Sequence, residues 1–391
     1  MAIKGRKSST KNPPIFSHEF VIQNHADIVS CVAMLFVIGL MIQVTSPIAY
    51  MFIAVQHNVT PDSSATESAA DSLTQYTYGV KDFCAVFFYF LICIVMHAII
   101  QEYFLDKISR KLFLSKVKHS KFNESGQLLV FYITSVLWGG DVIFKENFLM
   151  NISSLWEGYP HTNMVFMFKF FFIIQIAYWL HCYPELYFQK IKKEEMPSRI
   201  RYATVGLIYV AAAYLLNFNR VGICLLILHY LSEALYHVAR IIDFVDKEEK
   251  GSKAGYMASN VVFVTARLGS IILSVLTFWY GLSLSENQGL DVPSGNFNVP
   301  AIRLTALIAV CLLQAYLMFH FITDQLKQLR EQAPASLSAK KAPAKKVAAA
   351  AAAKKKKDDA KKGSAIDDDV NELTEVDQNT KKNLKNKTKV K

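Results

Sequence analysis

Six polar side chains share one apolar run: His229, Ser232, Glu233, Tyr236, His237 and Arg240 all fall within residues 221–241. At about 100° per residue they cover one arc of roughly 140° on a helix. Ionisable groups in such a run are costly, so the arc must meet protein or water rather than lipid. Asp141, Lys169, Arg267 and Arg303 lie in other apolar runs and are candidate partners. Lys169 and Arg303 sit near run ends, where long side chains can snorkel to the interface instead. Three chemistries fit the arc. A catalytic or metal site needs His and carboxylate converging from two helices, and His229, Glu233 and His237 at i, i+4 and i+8 supply half of one. A polar cleft could take a lipid head group or the polar parts of a passing peptide. Interhelical hydrogen bonds that only fix packing would be worth about 1 kcal/mol per contact. The sequence holds no P-loop, G-x-S-x-G, H-E-x-x-H or Cys-x-x-Cys motif, and no cofactor is implied. His97 and His181 are single histidines in aromatic-rich runs and read as structural.

The elements that must position the arc are themselves apolar. Eight runs can be placed, near 28–54, 83–103, 127–144, 163–183, 202–218, 221–241, 257–283 and 300–322. Hydrophobic residues make up 52% of the 391 and charged residues 19%, which excludes a soluble enzyme. Hydrocarbon offers backbone amides no outside partner, so each run should be a helix and the chain an all-α polytopic membrane protein. Only Asn219 and Arg220 join the fifth and sixth runs, which predicts a tight helical hairpin. The six cysteines (Cys31, Cys84, Cys93, Cys182, Cys224, Cys311) lie in or beside apolar runs without metal-ligand spacing and read as buried thiols. Residues 1–27 are polar and the first run exceeds a signal-peptide core, so no cleavable leader is expected.

Charge sets the expected orientation. The loops after the second, fourth and sixth runs carry 15 Lys and Arg, against 3 in the alternate loops, which predicts cytoplasmic termini. Asn58-Val-Thr and Asn151-Ile-Ser then fall in non-cytoplasmic loops. Asn58 is the preferred glycan acceptor, because Asn151 lies nearer the membrane. Asn123 and Asn386 also head sequons but fall on the cytoplasmic side and should stay bare. From Glu331 to Lys391, 16 Lys against 9 Asp and Glu supply +7 of the net +11, with no aromatic residue. This segment, including Ala348–Ala353 and Lys354–Lys357, is expected to be disordered. The final Lys387-Thr-Lys-Val-Lys391 matches the K-x-K-x-x form of dilysine signals that return proteins to the endoplasmic reticulum. The expected layout is a cytoplasmic segment 1–27, two membrane helices and a lumenal loop in 28–117, a six-helix domain 118–327 and the lysine-rich tail 328–391.

Several long strings resemble one family. Ser17-His-Glu-Phe-Val-Ile-Gln-Asn-His-Ala-Asp-Ile-Val-Ser-Cys31, Lys121-Phe-Asn-Glu-Ser-Gly-Gln127, Tyr178-Trp-Leu-His-Cys-Tyr-Pro-Glu-Leu-Tyr-Phe-Gln-Lys190 and Gly295-Asn-Phe-Asn-Val299 are similar to the translocating chain-associated membrane proteins. That family shares the TLC-domain superfamily with ceramide synthases, and the domain would cover about 118–327 as a TLC-type bundle. The resemblance implies an endoplasmic reticulum protein beside the Sec-type translocon that contacts signal sequences and helps nascent chains translocate or insert. It also implies membrane lipid as an alternative ligand. The basic tail could touch the ribosome, while no specific nucleic acid is implied. Ceramide synthases carry paired histidines ahead of an Asn-Phe-x-Arg string. Here the string is Asn217-Phe-Asn-Arg220, and the earlier positions hold Tyr202 and Ala203. Their His-Asp-x-x-Asp pattern reads His229-Tyr-Leu-Ser-Glu233 here, so acyl transfer by general acid/base chemistry lacks its parts.

Overall fold

The computed structural model describes residues 14, 17–59, 74–246 and 250–359. The chain falls into two compact units, Met1–Phe319 and His320–Lys391. Ten α-helices carry the described fold: α1 His18–Met41, α2 Ser46–Ile53, α3 Asp82–Ile99, α4 Asp106–Lys111, α5 Lys116–Lys145, α6 Phe166–Phe188, α7 Met196–Leu215, α8 Asn219–Val245, α9 Lys250–Ser274 and α10 Pro300–Asp359. A π-helical turn, Ile100–Leu105, joins α3 to α4, and another, Val275–Tyr280, extends α9. Within the first unit α8 packs between α5 and α9, α6 lies against α3 and α7, and α1 and α2 pack on α3.

Side chains set where the helices begin. Ser17 and Ser115 accept from the backbone N–H of Phe20 and Lys118, which caps α1 and α5. Pro47, Pro197 and Pro300 occupy first turns, where a missing N–H costs nothing. The expected first run, 28–54, is not one helix. α1 already starts at His18, and the chain turns at 42–45, where Thr45 Oγ1 donates to the carbonyls of Gly39 (2.8 Å) and Ile42 (3.3 Å). That hydroxyl satisfies the last carbonyls of α1 and lets α2 restart behind Pro47.

Among the described residues, six helical stretches are both long and apolar enough to cross a membrane, rather than the expected eight. They are Asp82–Lys111, Lys116–Lys145, Phe166–Phe188, Asn219–Val245, Lys250–Ser283 and Pro300–Glu331. α7 is long enough at 20 residues, but Arg199 and Arg201 dilute its apolar character. The hairpin between α7 and α8 turns at Leu216–Phe218, not at Asn219 and Arg220, which already belong to α8. Part of the lysine-rich tail lies within the last helix. α10 continues to Asp359, through an Ala- and Lys-rich stretch whose residue types are strong helix formers. The dilysine match and the Asn386 sequon lie outside the described residues.

Short strands gather at the end of the first unit where α3, α6 and α8 begin. β1 Asn58–Val59, β2 Gln75–Tyr76 and β3 Met164–Val165 form one antiparallel sheet in that order, and β4 Leu290–Asp291 pairs with β5 Asn296–Phe297. Asn58 is exposed on β1, opposite Tyr76. Buried side chains stitch this end together. Tyr159 donates to the Leu216 carbonyl (2.8 Å), Asn217 to Gly295 (2.8 Å) and Asn219 to His161 (2.8 Å). Burial, with Arg220 nearby, pushes His161 down to about 4, so its ring is neutral near pH 7.

Lys169 and Arg303 do not snorkel. Arg303 donates to the Leu282 carbonyl (3.1 Å). Lys169, fully buried, pairs with Asp82 at 2.7 Å and donates to the carbonyls of Gln56 (2.7 Å) and Thr77 (2.6 Å). Asp82 Oδ2 accepts from Gly79 N–H (2.8 Å) and the Tyr214 hydroxyl (2.9 Å). A Cβ at Gly79 would come within 2.3 Å of the His57 ring, so this close approach depends on glycine or on a shift of that ring. Lys169→Met would strand the Asp82 carboxylate and should cost about 3–5 kcal/mol, with Asp82→Asn in the same chain recovering part of the loss. Thermal unfolding of the detergent-solubilised full chain checks this. Equal midpoints for wild type and K169M would show that the pair does not hold this end together.

Candidate functional site

His229, alone of the polar arc of α8, lines a cavity of about 700 Å³ bounded chiefly by α7, α8 and α10. Most of its wall is apolar. The polar exceptions include Tyr202, His229, Arg267 and Gln314. Gly206 keeps α7 close to α6, since a Cβ there would come within 2.7 Å of the Trp179 indole.

Arg267 is the hub. It is 1% exposed and lies over the Phe263 ring, 4.9 Å from the centroid. Nη1 donates to Gln314 Oε1 of α10 (3.0 Å), and Nη2 to Ser232 Oγ (2.8 Å) and His229 Nδ1 (3.0 Å) of α8. A guanidinium only donates, so Nδ1 of His229 must be the accepting nitrogen and the neutral ring carries its proton on Nε2. Nε2 faces the Tyr202 hydroxyl at 3.4 Å, and Tyr202 meets Tyr132 at 2.6 Å. Donation therefore runs from Arg267 to His229 and on to Tyr202, whose hydroxyl is also bonded to Tyr132. A second buried relay ties α6 to α5 and α8: Trp179 Nε1 donates to the Tyr230 hydroxyl (3.1 Å), Tyr230 to Gln175 Oε1 (2.9 Å), and Gln175 Nε2 to Ser135 (2.9 Å).

The structure gathers only part of the expected arc here. His229, Ser232 and Arg267 meet. Glu233 approaches His229 Nδ1 at 4.0 Å without pairing with Arg267. Tyr236 is exposed and packs against Tyr256. His237 stacks on Tyr132, and Arg240 reaches Glu124 at 3.7 Å, beside the Arg199–Glu124 pair at 2.9 Å. Asp141 is not at the site. It is exposed and bound to Lys145 at 2.8 Å one turn along α5. Sequence reasoning missed Gln314 and Tyr132. Gln314 was findable as a lone amide inside an apolar run, whereas a tyrosine in an aromatic-rich chain gives no such signal. Among the described residues no group of three His, Cys, Asp or Glu could hold a metal ion.

A family model described as "TLC domain" matches residues 121–323. The chain is 47% identical over 335 residues to human translocating chain-associated membrane protein 2, covering 86% of this chain and 88% of that protein. The mouse protein of the same name is 48% identical over 322 residues, covering 82% and 85%. Mouse ceramide synthase 4 is 25% identical over 148 residues, covering 38% and 37%. Tyr202 and His229, positions at which the ceramide synthase patterns were compared above, face one another across the cavity wall.

Gln314→Leu removes the Nη1 acceptor and leaves a buried donor unmet, so it should lower stability by about 1–3 kcal/mol. Leu312→Ala, on the exposed side of α10, should change the unfolding midpoint far less. Similar shifts for the two variants would mean that Gln314 contributes packing alone.

Proposed function

This chain belongs to the TLC-domain family and, within it, to the translocating chain-associated membrane proteins, and from that premise we propose that it is a non-enzymatic factor of the endoplasmic reticulum translocon. In this reading it sits beside the Sec-type channel with both termini cytoplasmic, contacts signal sequences and assists nascent chains in translocating or inserting. The observation that carries the reading is the Arg267 network, a polar surface held at membrane depth beside an open cavity. Such a surface lowers the cost of bringing polar groups of a signal region into the bilayer. It also supports the non-enzymatic half. A general base needs a free lone pair, and that of His229 Nδ1 is occupied by a guanidinium.

His229→Leu, on the cavity wall, should reduce insertion of weakly hydrophobic signal sequences at equal protein level, with strongly hydrophobic signals unaffected. Unchanged insertion of the weak signals would remove the cleft from the reading. Photocrosslinking from a probe in the signal of a ribosome-bound secretory chain tests contact itself, and the adduct should weaken as the signal's apolar core lengthens. The orientation has its own check. Asn58→Gln should abolish an endoglycosidase-sensitive gel shift that Asn123→Gln leaves intact, and a shift surviving N58Q but lost in N151Q would move the acceptor to Asn151.

The largely apolar cavity favours a second reading, that the TLC bundle binds membrane lipid around the translocon. Native mass spectrometry after gentle extraction separates the two, because a signal-sequence factor need not retain stoichiometric lipid.

A further inference from the structure

Lys107, Arg110, Lys111, Lys116, Lys118 and Lys121 are all exposed, and none is in an ion pair among the described residues. Only Glu102 and Asp106 oppose them within residues 102–121, and the next carboxylate, Glu124, is taken by Arg199 and Arg240. Exposed apolar side chains are interleaved with these cations: Tyr103, Phe104, Ile108, Phe113 and Val117. Phe113 is the extreme case. It is 94% exposed and held at φ +50° in the turn between α4 and α5. A bulky side chain seldom adopts left-handed backbone, and at that exposure the described fold gives it no packing in return.

Depth in the membrane identifies what covers it. About 20 helical residues cross the hydrocarbon, so the span that starts at Asp82 leaves it near Glu102. Tyr103 and Phe104 then stand in the interfacial aromatic belt, and the α4–α5 turn lies at head-group depth. Lys107 already leans over the Tyr103 ring, 5.4 Å from its centroid. The turn is fastened, not loose. Asp106 accepts from Gln101 (2.7 Å) and from Asn123 of α5 (3.0 Å), and Gln127 donates to the His97 carbonyl (2.8 Å). A Cβ at Gly126 would overlap the Leu105 side chain, so α5 packs closely on this end of the span. An RNA surface would meet the cations but leave Ile108, Phe113 and Val117 in water. A lipid interface accommodates both kinds of side chain. Each Lys or Arg close to the surface favours acidic over neutral lipid by about fivefold.

We propose that the α4–α5 turn is an interfacial anchor for acidic phospholipid, in which Phe104, Ile108 and Phe113 enter the acyl boundary and the flanking Lys and Arg hold head-group phosphate and carboxylate oxygens. The partner is the leaflet at the end of the bundle away from the strands, which is the cytoplasmic leaflet in the orientation proposed above. The anchor gathers acidic lipid at the outer surface of α3 and α5 and sets the depth at which that end of the bundle rides. It stands apart from the signal-sequence reading, and a bilayer with the same lipid in both leaflets tests it whichever way the chain is oriented.

The test places the full chain in phosphatidylcholine nanodiscs containing a trace of spin-labelled phosphatidylserine or spin-labelled phosphatidylcholine. Electron spin resonance reads the fraction of each label immobilised at the protein surface. The label samples the whole lipid shell, so wild type should hold phosphatidylserine over phosphatidylcholine by about threefold, and added salt should shrink that ratio. Lys111→Gln, Lys116→Gln and Lys118→Gln together should bring the ratio close to one. A matched triple in the α6–α7 loop, Lys190→Gln, Lys192→Gln and Lys193→Gln, should leave most of it. Phe113→Gly keeps the left-handed turn while removing the anchor, so it should lower the ratio without lowering the unfolding midpoint. Equal retention of the two lipids by wild type overturns the proposal. Equal losses in the two triples overturn it as well, because net charge alone would then explain the preference. Equal lipid retention together with capture of a labelled single-stranded RNA, lost in the first triple, would reassign the face to nucleic acid.

Discussion

Lys169 cannot reach water, and much of the first unit is arranged around that fact. Its ammonium is fully buried, so it needs a counter-charge and acceptors from the protein itself. Asp82, at the start of α3, supplies the charge at 2.7 Å, and two carbonyls from the 54–81 segment complete the shell. Tyr214 closes the set from α7 through the same carboxylate. One ion pair thus fixes α3, α6, α7 and the β1–β2 segment against each other, at the end where every described strand lies. Helices in lipid gain little from the hydrophobic effect between them, so such polar contacts and close packing decide which faces meet.

The same constraint acts at Arg267 with a different result. There the guanidinium collects neutral acceptors from α8 and α10, and the space beside it stays open. At the Lys169 end a carboxylate, two carbonyls and a hydroxyl fill the shell, and the site reads as architecture. At Arg267 the hydrogen-bond acceptors are neutral side chains, and one N–H lacks a partner beside a cavity.

The kinship with ceramide synthases is informative for what has changed. Tyr202 and His229 still meet across the cavity, at 3.4 Å, although the paired histidines of the enzyme pattern are absent. The tyrosine hydroxyl there is bonded to Tyr132, and the remaining histidine is tethered by Arg267. The region shared with mouse ceramide synthase 4 covers 38% of the chain.

Much of this protein was legible in its sequence because the signals are local. Apolar runs fix where helices form, since hydrocarbon leaves the backbone no alternative, and the spacing of His229, Ser232 and Glu233 fixes which face of α8 must avoid lipid. The break at Thr45 was less readable, because it depends on capping competing with a cruder polarity rule. What only the tertiary structure decided is partnership. Arg267 and Gln314 lie 47 residues apart, and Lys169 and the Gln56 carbonyl 113 apart. Periodicity states that a polar face turns inward but not which of several inward faces it will meet, which is why Arg267 chose Gln314 and Ser232 over Glu233, and Asp141 stayed with Lys145. The cavity is more remote still from the sequence. It is a volume that α7, α8 and α10 leave unfilled, and no single helix encodes it.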